Sequence, residues 1–153
     1  MPISLPSDSL PHVDEHSATV DAGAEATWNA SLRVIEVWLS SASRTARLLG
    51  CTDTTSSGPR PLATGSVLPG FRVEAAEPGR LLALAGKHRF SNYALILRFE
   101  GENEGATRIR AETRATFPGV TGSVYRALVI GTRGHILVTR RLLAGIKRRA
   151  ERR

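Results

Sequence analysis

From residue 107 to residue 117 the chain alternates without a fault. Thr107, Ile109, Ala111, Thr113, Ala115 and Phe117 fall on one side, and Arg108, Arg110, Glu112, Arg114 and Thr116 on the other. Successive side chains of a strand point to opposite faces, so this segment is a strand with one dry face and one wet face. Parallel sheets are covered on both sides, whereas antiparallel sheets tolerate one solvated face. The chain must therefore build an antiparallel sheet and supply something apolar to lie against its dry side.

The segments before it supply the partners. Phe71, Val73 and Ala75 alternate with polar residues up to a turn at residues 77–80; residues 80–90 read as the next strand, with Ser91-Asn92 as a tight turn. Tyr93, Leu95, Leu97 and Phe99 share one face of a further strand, which ends at Glu102-Asn103-Glu104-Gly105. Residues 16–22 read as a first strand, and a short one is expected near residues 63–68. Helical spacing appears twice. Trp28, Leu32, Ile35 and Leu39 recur over residues 25–39, and residues 40–49 leave room for a second short helix. After Pro118-Gly119 the pattern predicts one long helix over residues 121–149, roughly 40 Å at 1.5 Å per residue. Its inner stripe reads Val124, Leu128, Gly131, His135, Val138, Leu142 and Ile146. Residues 50–70 are rich in Gly, Pro, Ser and Thr, a connection long enough to serve as a lid.

Composition excludes several classes. At 153 residues, 41% hydrophobic and 23% charged, the chain fits one globular domain that needs no metal or disulfide to stand. Residues 1–15 read as a loosely ordered leader, 16–149 as the domain and 150–153 as a basic tail. Cys51 is the single cysteine, in keeping with a reducing cytoplasm. No secretory leader or membrane-spanning run is read. His12, His16, His88, His135 and Cys51 lack zinc-type spacing, so no metal and no cofactor is expected. The net charge is +7, and the last seven residues hold five basic side chains against Glu151. That tip suits the negative end of a helix dipole. It also leaves open contact with anionic lipid or nucleic acid. Nucleic acid is not expected, because the outer strand positions Lys87, Arg89, Arg108, Arg110 and Arg114 include no stacking aromatic.

The element order (strand, helix or helix pair, run of antiparallel strands, long terminal helix) resembles the α+β helix-grip fold of the START and Bet v 1-like (SRPBCC, polyketide cyclase/dehydrase-type) superfamily. Residues 17–22 with Glu25-Ala26-Thr27-Trp28 look like its first strand and first helix. Residues 68–73, 86–93 and 125–128 with Gly134-His135 are similar to a bacterial branch of that superfamily, a likeness that brings no function with it. The resemblance implies a curved sheet wrapped around the C-terminal helix, with an apolar cavity between them. A small apolar or amphipathic ligand would lie there against Phe71, Val73, Leu84, Phe90, Tyr93, Leu95, Leu97, Ile109, Phe117, Val124 and Leu128.

The polar points expected on that cavity are His88 and His135, with Tyr93, Tyr125 and Thr113 as further candidates. His135 sits on the inner stripe, where it either orients a ligand or bonds a strand carbonyl. His88 shares the inner face with Leu82, Leu84 and Phe90 only if the register is not slipped by one. Gly131 and Gly134 either make room for a ligand or kink the helix. Binding of a small molecule is the leading expectation. A cyclase or aromatase acting on a carbonyl compound through His88, His135 or Tyr93 is the alternative, and an interaction module using the basic tail is a third.

Overall fold

The computed structural model describes residues 4–103, 105–129 and 133–152. Strand β1 (His12–Val20) leads into helices α1 (Ala24–Ser40) and α2 (Ser43–Leu49). Strands β2 (Val67–Leu68), β3 (Phe71–Glu77), β4 (Leu81–His88), β5 (Ser91–Asn103) and β6 (Ala106–Thr116) follow, then helices α3 (Gly119–Val129) and α4 (Gly134–Glu151). The strands form one antiparallel sheet in the order β1-β6-β5-β4-β3-β2. This is the α+β helix-grip arrangement that the sequence implied.

Strand pairing carries the inner face across the sheet in one register. Leu82 lies opposite Leu97, Leu84 opposite Leu95 and Gly86 opposite Tyr93, while Leu97 in turn lies opposite Ala111 and Phe99 opposite Ile109. Against this face α1 buries Trp28, Leu32 and Ile35, and α4 buries Leu142, Leu143 and Ile146. Trp28 meets Phe99 edge-to-face at 5.3 Å. The two helices thus fill one half of the cup as a solid core.

The outer face is drier than the alternation suggests. Ala83 and Ile96 are fully buried there, because the chain before β1 folds back over them. Pro6–Ser9 forms a 3-10 turn, Leu5 packs on Ile96 and its neighbours, and the Ser7 hydroxyl donates to Glu74 at 2.7 Å. Strand β1 accordingly starts at His12, four residues before the sequence pattern shows it.

The outer face also holds a buried carboxylate. Glu112 accepts from Arg114 Nε at 3.0 Å and from Arg98 Nη1 at 3.3 Å, and pairs with His12 Nδ1 at 2.9 Å. Burial alone would raise its pKa, but the hydrogen bonds from Arg114, His12 and Arg98, with the Arg114 charge, outweigh that and bring it to about 2. A carboxyl with a depressed folded-state pKa stabilises the fold above its ordinary value and loses that contribution as pH falls toward the lowered one. The window therefore runs from about pH 4.5 down to about pH 2. Glu112→Gln is expected to cost roughly 2 kcal/mol near neutrality, since it removes the buried charge that Arg114 and Arg98 share, and to flatten the loss of stability below about pH 4. Urea melts at neutral and acid pH check this; parallel acid profiles for the two proteins would contradict it.

Two expectations need correction. The C-terminal helix is divided: Arg133 adopts a left-handed φ of 59°, and α4 begins after it at Gly134. A non-glycine residue in that region interrupts the helical ladder. Gly131 lies outside the described residues. The connection of residues 50–70 is stitched down and forms wall instead of lid. Thr52 N–H donates to Lys87 O, Ser57 and Val67 exchange two backbone bonds, the Ser66 hydroxyl donates to Pro59 O, and Leu62 is buried.

Candidate functional site

The other half of the cup is hollow. A cavity of about 600 Å³ lies between the far ends of β4, β5 and β6, helix α2, and the α3–α4 pair. The strands contribute Phe71, His88, Tyr93, Leu95, Thr113 and Ala115, with Phe117 just beyond β6. Helix α2 and its approach contribute Ala42, Thr45, Ala46 and Leu49; α3 and α4 contribute Tyr125, Leu128, His135 and Val138.

Aromatic rings form a continuous arc along one wall. Phe71 meets Tyr93 at 5.1 Å, Tyr93 meets His88 at 5.2 Å, and His88 meets Tyr125 at 4.9 Å. Phe90 stacks on Tyr125 at 5.4 Å and an interplanar angle of 18°. Gly122 lets α3 come this close: a Cβ there would lie 2.6 Å from the Phe117 carbonyl carbon and 3.1 Å from the Phe90 oxygen. Rings set edge-on or offset prefer further rings in the same geometry, so the wall favours a flat partner.

Polar atoms on this wall are few and mostly engaged. The Tyr93 hydroxyl donates to Gly70 O at 2.6 Å and lies 3.7 Å from Cys51 Sγ. Burial, then the Cys51 thiol, push the Tyr93 phenol well above its ordinary value, so it stays a protonated donor. Burial also raises Tyr125. His88 is buried, and desolvation lowers its pKa, which keeps the imidazole neutral at pH 7. Phe90 N–H donates to its Nδ1 at 3.0 Å, so the ring proton resides on Nε2. Nε2 has no hydrogen-bond partner among the described residues and is, beside the Tyr125 hydroxyl, a donor that the wall offers a ligand.

His135 is placed differently. Its Nε2 lies 2.7 Å from Asp14 Oδ2, and the same oxygen lies 3.1 Å from His16 Nε2. Asp14 Oδ1 is buried without a partner among the described residues. His135 thus borders the cavity as one member of a carboxylate-bridged pair of imidazoles.

Of the residues singled out in the sequence, Phe71, His88, Tyr93, Leu95, Thr113, Phe117, Tyr125, Leu128, Gly134, His135 and Val138 line the cavity. Val73, Leu84, Leu97 and Ile109 do not; they lie on the same face but in the half that α1 and α4 fill. Phe90 stands behind Tyr125, and Val124 points outward, 57% exposed. Periodicity gives the facing of a residue and is silent on whether the space in front of it is filled. The α2 wall has a signal that went unused: residues 42, 45, 46 and 49 recur at helical spacing. Val13 has none. It enters the cavity because the pairing of β1 slips between His12 and Asp14, a bulge that turns one extra side chain inward. Cys51, the single cysteine, stands on the cavity wall.

No family model matches the chain, and no curated protein matches it either. Solved structures do. The Zhui aromatase/cyclase from Streptomyces sp. R1128 aligns with a TM-score of 0.61 at 16% identity, over 94% of this chain and 95% of that one. Norcoclaurine synthase from Thalictrum flavum aligns with a TM-score of 0.59 at 12% identity, over 95% and 98%. A second structure of that synthase, in complex with dopamine and hydroxybenzaldehyde, aligns with a TM-score of 0.54 at 11% identity, over 90% and 87%. At such identities the likeness establishes the fold.

Proposed function

We propose that this chain, a helix-grip protein of the START and Bet v 1-like superfamily, binds a small molecule with a flat apolar body in its cavity, where His88 Nε2–H donates to an acceptor on the ligand. The observation that carries this is a 600 Å³ cavity with aromatic walls onto which His88 brings a ring donor with no partner among the described residues. Ligand sites usually measure roughly 300–1,000 Å³ and pair apolar walls with a few placed polar groups. The names of the structural neighbours support it: an aromatase/cyclase, and a synthase holding two small aromatic molecules.

Thermal melts against a panel of bicyclic and tricyclic aromatic compounds, each with and without a carbonyl or hydroxyl acceptor, test the proposal. A ligand present at about 100 times its Kd adds about 2.7 kcal/mol, a rise of roughly 5–10 °C for a domain of this size. His88→Phe is expected to weaken acceptor-bearing ligands about tenfold and to leave their hydrocarbon analogues unchanged. If no compound raises the melting temperature, the proposal fails; if acceptor and hydrocarbon ligands lose affinity alike, His88 is only wall.

One observation favours a second reading, cyclase-like chemistry on a carbonyl compound: the Asp14 carboxylate holds an imidazole, His135, at the cavity edge. A carboxylate fixes the orientation of the imidazole, the arrangement a proton-transfer group needs. This reading requires cyclised product from a poly-carbonyl substrate and its loss in His135→Gln. Binding without product leaves the first reading alone.

A further inference from the structure

The rim of the cavity carries side chains that a water-facing surface does not need. On α3, Val120, Val124 and Leu128 stand in one row and are 83%, 57% and 62% exposed. On the first turn of α4, Leu137 and Val138 are 52% and 58% exposed, and across the mouth on α2 Leu48 is 79% exposed. Leu128 and Val138 also line the cavity, so apolar side chains are found both on the outside of the rim and on its inner edge. Contiguous apolar surface of this kind marks a docking site, whereas scattered single residues do not.

Basic side chains dominate the helices around it, with the Asp14 carboxylate held against His135 at the edge. The exposed side chains Arg44 and Arg47 lie on α2, and Arg126, Arg133, Arg140 and Arg141 on or beside α3 and α4. Helix α2 contains no acidic residue, and between Glu112 and Glu151 the sequence has no aspartate or glutamate at all. Elsewhere the acids sit among the bases: Glu15 and Glu100 both hold Arg110, and Glu36 holds Arg60. The imbalance is thus greatest on α2, α3 and α4.

From this we infer that the α2 and α3–α4 lips dock on an anionic lipid bilayer, with the aliphatic side chains entering the acyl boundary and the arginines meeting the headgroups. Aliphatic residues ringed by arginine are the pattern of a helix that lies in a membrane interface. Two other occupants fit less well. A second copy of the chain would bring the same six arginines against themselves, since a two-fold interface pairs a patch with its own image. Single-stranded nucleic acid is gripped by exposed aromatic rings, and the exposed apolar residues here are Val and Leu. No helix among the described residues is long and apolar enough to cross a membrane, so the contact is a surface one. Docking in this pose points the cavity mouth at the bilayer, which makes the membrane the place where an apolar ligand enters or leaves.

Flotation of the full chain with vesicles tests this without any cavity ligand, so its failure leaves the binding proposal untouched and the reverse also holds. The probes are vesicles of phosphatidylcholine alone and of phosphatidylcholine with phosphatidylglycerol. The variants are Leu48→Asp with Val124→Asp, and Arg126→Gln with Arg140→Gln. All four positions are exposed and outside the cavity lining, and a melting curve verifies that each variant folds. Binding to the anionic vesicles should exceed that to the neutral ones at least tenfold or so, and each variant pair should lower it by roughly the same factor. Raising the salt to about 1 M should release the protein, and this holds for the unmodified chain even if a variant misfolds. Equal binding to both vesicle types overturns the inference. So does binding that ignores both variant pairs and vanishes only when residues 147–153 are removed. A dimer broken by Leu48→Asp, or RNA bound more tightly than vesicles through the same arginines, overturns it in favour of the other occupant.

Discussion

Gly86→Ala is expected to lower the melting temperature by roughly 10 °C, the largest stability loss from the addition of one methyl group that the structure points to. Gly86 lies on the inner face of β4 opposite Tyr93. A Cβ at this position would overlap the carbonyl oxygen of Gly70 and fall 2.6 and 2.7 Å from Tyr93 Cε2 and Cζ. Neither neighbour can yield cheaply. The Gly70 carbonyl belongs to the backbone between β2 and β3, and the Tyr93 ring is held at one end by its bond to that carbonyl and along its sides by Phe71 and His88. Overpacking of such a site costs about 3 kcal/mol, against which the better strand propensity of alanine returns only a few tenths. At 2–4 °C per kcal/mol for a domain of this length, the shift should be plain in a calorimetric melt. A melting temperature within about 2 °C of the parent would mean that β2–β3 and β4 are not held as closely as the structure has them. Loss of the Tyr93–Gly70 bond should also weaken any cavity ligand, because the aromatic arc is hinged there.

Ala115→Trp is expected to reduce ligand affinity about a hundredfold while the protein still folds. Ala115 faces the cavity from β6, opposite Tyr93, and is buried with open space in front of it. An indole built from this position fills the hollow beside the aromatic arc. A hundredfold loss corresponds to about 2.7 kcal/mol, a modest figure for steric exclusion of a ring from its place. The filling of apolar empty space is itself stabilising, so the melting temperature of the unliganded variant should hold or rise. Isothermal titration with the tightest compound from the thermal panel reads the affinity directly. Undiminished affinity in a folded Ala115→Trp protein would place the ligand outside this cavity.

How far the site could be read in advance differs by element. The alternation of residues 107–117 set β6, its neighbours and their facing, because a period of two admits no other register once one side is dry. His88 came out on the inner face for the same reason, although the turn after it uses Arg89 and Phe90, with Ser91 already paired to His88 in β5. The limits are equally physical. Val124 and Leu128 are four residues apart and were read as one stripe with His135. The left-handed residue at 133 divides that helix, and in α3 Tyr125 faces the cavity, Leu128 sits on its rim and Val124 faces outward. Leu5 looked like part of a loose leader because a lone leucine among Pro and Ser has no period to betray it; it caps Ile96 on the far side of the sheet. Asp14 carries no signal in the sequence, since a partner such as His135, more than a hundred residues downstream, leaves no mark in local pattern.

The division of the cup into a filled half and an empty half separates two tasks that most small domains must share. Trp28, Leu84, Leu97, Ile109 and Ile146 secure the fold at one end, and none of them touches the cavity. Cavity side chains that are not tied into the wall as Tyr93 is are consequently freer to vary. Such a scaffold can change its guest by exchanging a few residues of α2 and α3 at little thermal cost, provided the Gly86–Tyr93–Gly70 contact stays intact.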